Sequence, residues 1–473
     1  MTKLVFKNSL PTAALAPKDA ALLSAPAMLA KSALGPLLES HAMNPAIADL
    51  LKPKVLKHRK DVYDLTPAEV TALRHAFEKV APIPDDRGYQ HWAGIHGSPP
   101  PGYCQHGTPL FAVWHRPYLY LFEKALQDQV PGVMLPYWDW GSTRARAEGM
   151  PRIFTDATYV DGAGGVKPNP LLSSLIKFTG STIPETFRDP GLPGNLGTLA
   201  KQVLGAQKQK TYELYSPALE NPHNGLHGWV SGTMGSVTYA AFDPIFWAHH
   251  ANIDRLFAAW QAAHPSVRPI DSIYNAALPP FSLTVKQSWT TSMLGYDYAP
   301  PHGALMLHED FPVPEMAHAF RTVAGASKFN TPLLDFSLKE VLADPPPVML
   351  EFQEVTQPKK SFELRVFFNQ PDADATTPTE GNPHFGGSLF FFGHGECAGG
   401  AGHCDVPTEP RAEDDLRLPH HLTPMNLRLD VSESLHQLAK TLSAVTMSLV
   451  AVDNHGQPVP NPGTDFVSLN VVS

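Results

Sequence analysis

Six histidines in two groups constrain this chain more than any other feature. The first group is His96, His106 and His115, in GIHGSPPPGYCQHGTPLFAVWHRPYLYLFE; the second is His223, His227 and His250, in ENPHNGLHGWV and DPIFWAHHANIDRLFAAW. Three imidazoles per group, twice over, form a donor set for a pair of metal ions. Imidazole nitrogen suits copper, which stands at the top of the affinity order for such sites. Any fold for this sequence must bring distant segments together around that set.

Local spacing says how the donors are presented. His223 and His227 are four apart and share one face of a helix. His250 arrives from the next helix, which Asp243-Pro244 opens as N-cap and first residue. Its neighbour His249 points about 100° away on a helix, so only one of the two ligates. The apolar stripe leaves that choice open: Phe246, Ile253 and Phe257 align with His250, while Ile253, Leu256 and Trp260 align with His249. His115, Leu119, Phe122 and Leu126 make one helical stripe, with His96 and His106 in the loop before it. Thr66-Pro67-Ala68-Glu69 is a second helix start, with the pattern of a capping box. His91, His264 and His436 are left unassigned.

At 473 residues, with 43% hydrophobic and 17% charged residues, the chain can bury cores for two or three domains. Residues 1–55 read as an N-terminal extension, interrupted by Lys18, Asp19 and Lys31 and lacking the form of a signal peptide. Residues 56–335 carry the histidines on helices, and the Gly/Pro/Thr-rich stretch 141–222 is expected to be mostly loops with a few short helices. From 340 to 473, runs such as SFELRVFFN, GSLFFFGH and AVTMSLVAVD predict an antiparallel β-sandwich beyond the junction DPPPVML. The expected fold class is therefore α+β multidomain: a mainly α-helical, four-helix-bundle domain followed by a β-sandwich. The net charge of −9 and the lack of a basic block argue against nucleic acid, and no run is apolar enough for a membrane span. Three cysteines make no disulfide framework; their scarcity leans towards a reducing, cytoplasmic setting.

HGTPLFAVWHRPYLYLFE (106–123), DPIFWAHHANID (243–254) and LPYWDW (135–140) resemble the landmarks of the type-3 copper family: tyrosinases, catechol oxidases and molluscan haemocyanins. Ala112 is a small departure, at a position usually filled by a larger residue. The resemblance is strong over about 90–265 and weaker in the C-terminal region. It implies one copper on His96, His106 and His115 and a second on His223, His227 and His250, choosing His250 over His249. Cys104 resembles the cysteine that forms a thioether with the second histidine; the alternative is a free buried thiol. With O2 as co-substrate, the implied reaction is ortho-hydroxylation of small phenols and oxidation of catechols to o-quinones, as in melanin biosynthesis.

Residues around the ligands bear on which activity the core serves. Glu220 and Asn224 resemble the pair that holds a water for the phenol proton; Glu220 could instead be a solvated helix residue. Val237 resembles a small gate residue that leaves the first copper open, and Phe246 a ring that packs on bound phenol, or an ordinary core residue. The C-terminal domain resembles a lid that keeps relatives latent, with Phe385 or Phe391 expected over the entrance unless both are sandwich core. Cys397, His403 and Cys404 are candidates for copper hand-over, or a surface loop. The leading expectation is a tyrosinase. A catechol oxidase, an oxygen carrier and, more weakly, a zinc hydrolase stand beside it, and a homo-oligomer is among the expected assemblies.

Overall fold

Thr66 starts the first long helix as its sequence predicts. Its hydroxyl accepts from the Glu69 amide, and the Glu69 carboxylate accepts from the Thr66 amide, closing a capping box on α1 (Pro67–Val80). The computed structural model describes residues 56–97, 102–178, 180–299, 348–395, 405, 422–442, 444–466 and 468–472, with strand backbones at 320–324, 327–328 and 334–337. The expected N-terminal extension and the Cys397/His403/Cys404 cluster lie outside the described residues. The described residues belong to one compact unit, Leu56–Ser473.

Five further helices build the histidine-bearing region: α2 (Tyr89–His96), α3 (Phe111–Gln129), α4 (Leu196–Gln207), α5 (Tyr212–Val230) and α6 (Pro244–Ala263). Asp243 caps α6 through the Ile245 amide, as expected, and its carboxylate is gripped by Arg188 at 2.5 Å. Two expectations need correction. His96 is the last residue of a helix rather than part of a loop. The helices of the stretch 141–222 are not all short: α4 has 12 residues, and the 19-residue α5 begins at Tyr212 and runs through Pro217 and Pro222. Each proline removes one backbone hydrogen bond. Complete burial of Tyr212, Tyr215 and Leu219 offsets that loss.

A buried ionic cluster fixes the register of α3 against α6. Arg116, next to His115, donates to Asp254 at 2.6 Å, and Asp254 lies one turn beyond His250. Asp254 also accepts from Tyr296 and Tyr298. Strand β1 (Lys57–Arg59) pairs in parallel with β2 (Tyr296–Tyr298). Arg59 then reaches Glu123 of α3 at 3.0 Å and lies 3.9 Å over the Tyr296 ring. The Arg116 and Asp254 side chains are essentially inaccessible to water, so each charge depends on its partner.

The C-terminal region forms two four-stranded antiparallel sheets. One has the order β7-β6-β9-β4 and the other β8-β5-β10-β3. In chain order the strands are β3 (Phe320–Ala324), β4 (Leu334–Ser337), β5 (Met349–Val355), β6 (Phe362–Phe368), β7 (Phe385–Phe391), β8 (Met425–Asp430), β9 (Ala444–Val452) and β10 (Ser468–Val472). Their shared apolar cluster includes Leu350, Leu364, Phe391 and Leu449. A separate cluster, built on α1–α6, extends to Phe392 of the C-terminal region, with Phe390 packed against it.

Side-chain alternation along β7 explains that extension. Phe391 stacks on Phe362 at 4.3 Å, inside the sheets' own core. Phe390 and Phe392, on either side of it, face the helices. β7 is an edge strand, and the helices satisfy its open edge. Asn221 of α5 donates to the Ser388 carbonyl and accepts from the Phe390 amide, and Gln202 of α4 also donates to Ser388.

Candidate metal centre

α2, α3, α5 and α6, with the loop at His106, carry the six histidines into one buried space. The second group is the tighter. The Nε2 atoms of His223, His227 and His250 lie 3.1–3.3 Å from one another. The Nδ1 of His223 faces Asn224 Oδ1 at 2.9 Å, and that of His227 faces the Met234 carbonyl at 2.9 Å. Both partners are oxygen acceptors, so each Nδ1 carries the proton and each Nε2 presents a lone pair. Burial, followed by repulsion from neighbouring histidines, holds both rings well below the usual imidazole range, so they are neutral. The Nε2 lone pairs of His223 and His227 face each other at 3.1 Å with no proton between them, an arrangement that a cation relieves. A point equidistant from such atoms is about 1.9 Å from each, close to an imidazole–metal bond of ~2.0 Å. The residues fit a metal ion here.

His249 is buried beside this set but turned differently. Its Nδ1 accepts from the Trp140 indole at 3.2 Å. His250 Nε2 lies 3.2–3.3 Å from those of His227 and His223, and His249 also offers a ring nitrogen within 4.8 Å of all three, so both neighbours stand at the cluster.

The first group is looser. Ring centroids of His96, His106 and His115 are 5.2–5.8 Å apart. His96 Nδ1 donates to the Val237 carbonyl at 3.3 Å and His115 Nδ1 to the Phe111 carbonyl at 2.8 Å, freeing both Nε2 atoms. Those Nε2 atoms, and both ring nitrogens of His106, are buried with no hydrogen-bond partner. Burial lowers the His115 pKa to about 4. Nitrogens of His96, His115 and His250 lie within 4.8 Å of one another, so the two groups meet instead of standing apart. The His115 and His250 rings stack at 4.5 Å. Cys104 is a free thiol whose sulfur lies within 4.8 Å of ring nitrogens of His96 and His106. Burial pushes the thiol pKa up.

Other residues singled out in the sequence line the same space. Phe246 is fully buried, 4.0 Å from the His250 ring and 4.8 Å from that of His96. Val237 touches the centre through its carbonyl, which holds His96. Glu220 and Asn224 lie one turn apart on α5, with different partners. Glu220 accepts from the Gly107 amide at 2.6 Å, and burial raises its pKa to about 8. Asn224 holds His223 and donates to the Phe390 carbonyl at 3.4 Å.

The expected lid residues are corrected. Phe385 packs on Phe367 at 5.5 Å, and Phe391 lies in the sheet core; neither reaches the histidines. Phe392 does. Its ring stacks on His227 at 4.1 Å and approaches His106 at 5.4 Å and His223 at 6.0 Å. Sequence reasoning also missed Phe111, whose ring lies 4.7 Å from His223, and the carbonyls that orient the imidazoles.

Comparison with known proteins follows this geometry. Residues 86–263 match the family model "Common central domain of tyrosinase". A unit of Helix pomatia haemocyanin, "Hemocyanin, beta-C chain unit D", is 37% identical over 219 residues, which are 43% of this chain and 51% of that protein. The chain thus matches only about half the length of such a relative, and far less of the longest haemocyanins. In fold, it is similar to a functional unit of octopus haemocyanin (TM-score 0.59, 22% identity, 88% of this chain and 99% of that one). It is also similar to a tyrosinase from Burkholderia thailandensis (TM-score 0.57, 18% identity, 83% and 94%).

Proposed function

Because the central domain at 86–263 makes this chain a member of the type-3 copper family, we propose that it is a tyrosinase. On this reading it is a dicopper oxidoreductase that ortho-hydroxylates monophenols and oxidises o-diphenols with O2, kept latent by its C-terminal sheets. The observation that carries the reading is the convergence of neutral imidazole lone pairs at 3.1–3.3 Å beside a buried carboxyl. His223, His227 and His250 would hold one copper, and His96, His106 and His115 the other, with Cys104 placed to tether His106. When bound, the pair supplies dioxygen binding and the redox chemistry.

The chain's own residues supply the rest. The Val237, Phe111 and Met234 carbonyls and the Asn224 amide oxygen fix the tautomers of four ligands. Phe246 walls the cavity against His96 and His250. Glu220, its pKa raised to about 8 by burial, is the group to accept a proton from an incoming phenol, directly or through a water, in the fraction of molecules where it is ionised. Phe392 occupies the approach to His227.

A second reading, an oxygen carrier, is favoured by the same Phe392 contact and by the haemocyanin relatives: a permanently closed site would bind O2 without turning over phenol. A third, catechol oxidase, keeps the oxidation and lacks the hydroxylation. Oxygen uptake with a monophenol and with its catechol, on intact and C-terminally cleaved protein, separates them. Uptake with both substrates after cleavage supports the tyrosinase. Uptake with catechol alone gives the oxidase. Reversible oxygenation without turnover gives the carrier.

A further inference from the structure

The segment that blocks the histidines also holds them. After β7 the backbone continues through Phe392 and Gly393 alongside residues 234–238, between the helices and the loop at Ser361. The Val237 amide donates to the Gly393 carbonyl at 2.9 Å, and Ser236 and Gly393 form a parallel bridge. The Val237 carbonyl in turn accepts from His96. A single residue, Val237, therefore links Gly393 to the ring of a first-group histidine through its amide on one side and its carbonyl on the other. Ser361 completes the clasp: its hydroxyl accepts from the Gly393 amide at 2.9 Å and donates to the Gly235 carbonyl at 2.8 Å. Gly235 follows Met234, whose carbonyl holds His227. A third link runs from the Phe390 carbonyl to the Asn224 amide, and from Asn224 Oδ1 to His223.

We propose that the Phe390–Gly393 backbone and Ser361 are positioning elements of the dicopper centre, acting on His96, His227 and His223 through Val237, Met234 and Asn224. The inference rests on the dicopper reading above. It separates two roles within one segment. The Phe392 side chain excludes substrate, while the flanking main chain keeps Nδ1 partners in place so that Nε2 lone pairs stay aimed inward. Partners that orient metal-bound histidines affect affinity about 10–100-fold. Opening the lid as a whole should therefore cost copper affinity, whereas removing only the Phe392 ring should not. The clasp is close-packed: a Cβ on Gly393 would lie 2.7 Å from the Ser361 nitrogen and 2.8 Å from the Lys360 carbonyl carbon, so Gly393→Ala must push it apart.

The test uses the full-length chain with Ser361→Ala, Ser361→Thr and Phe392→Ala, and Gly393→Ala where it folds. Cuprous-ion affinity is measured at equilibrium against a bidentate Cu(I) chelator, so that access does not enter. Hydrogen exchange at the Val237 amide is measured on metal-free protein. Ser361→Ala should bind copper about tenfold more weakly and exchange the Val237 amide about tenfold faster. Ser361→Thr, which keeps the hydroxyl, should restore both, and Phe392→Ala should bind copper within threefold of wild type. Unchanged affinity and exchange in Ser361→Ala would overturn the inference, as would equal weakening in Phe392→Ala. A wild-type chain that takes up no copper would overturn the dicopper reading itself, and this inference with it.

Discussion

Truncating Phe392 to alanine tests how the centre is closed. The ring is 1% exposed and stacks on His227 at 4.1 Å. Removing a buried phenylalanine ring from a packed site costs about 3–5 kcal/mol. If roughly 3 kcal/mol of that favours the closed arrangement, its loss raises access about a hundredfold, at 1.4 kcal/mol per decade. The void left is the size of a benzene ring, which a phenol can fill. Intact Phe392→Ala protein should therefore oxidise a catechol about a hundredfold faster than intact wild type, while melting several degrees lower. Phe391→Ala is the control. That ring stacks on Phe362 at 4.3 Å and never faces the histidines. It should lower the melting temperature to a similar degree and leave turnover unchanged. Oxygen-electrode rates and calorimetry on the two variants decide. If Phe391→Ala activates as strongly, general loosening opens the site. If Phe392→Ala destabilises without activating, its ring is not the plug.

Three further outcomes follow from the same geometry. Asp254→Ala strands Arg116 without its carboxylate and should destabilise the protein by about 3–5 kcal/mol in denaturant titration; a loss below 1 kcal/mol would contradict the role given to that pair. His250→Gln should bind one copper fewer than wild type, whereas His249→Gln should keep both, as counted by atomic absorption. Glu220 keeps its proton to about pH 8, against an ordinary value of 4.5. Between those values the folded metal-free chain binds one more proton than the unfolded chain, so stability falls by up to ~1.4 kcal/mol per pH unit as pH rises. Glu220→Gln should remove that decline in melting curves taken from pH 5 to 8, and an identical slope in the variant would show that Glu220 is not its source.

What could be read from the sequence was what local spacing encodes. The four-residue step from His223 to His227, the Thr66 capping box and the Asp243-Pro244 start all depend on near neighbours and reappear in the structure. The 249/250 choice was different. Both rings sit on apolar stripes, and both pack against His223 and His227, with Trp140 engaging His249 Nδ1 and His250 Nε2 lying 3.2–3.3 Å from the other two. The course of α5 through Pro217 and Pro222 was hidden because burial of Tyr212 and Tyr215 outweighs local propensity. The C-terminal aromatic that reaches the histidines was missed by a single position. In a strand, one step reverses the face, so Phe391 turns into the sheets while Phe392 turns to the histidines. The oriented carbonyls of Val237, Phe111 and Met234 left no trace in side-chain identity, since any residue supplies a carbonyl.

Copper K-edge X-ray absorption on the loaded full-length protein, with the metal counted on the same sample, tests the central claim most directly. The account predicts two coppers per chain, each with about three nitrogen neighbours near 2 Å and imidazole scattering beyond them. One copper per chain, or a shell dominated by oxygen, would contradict it.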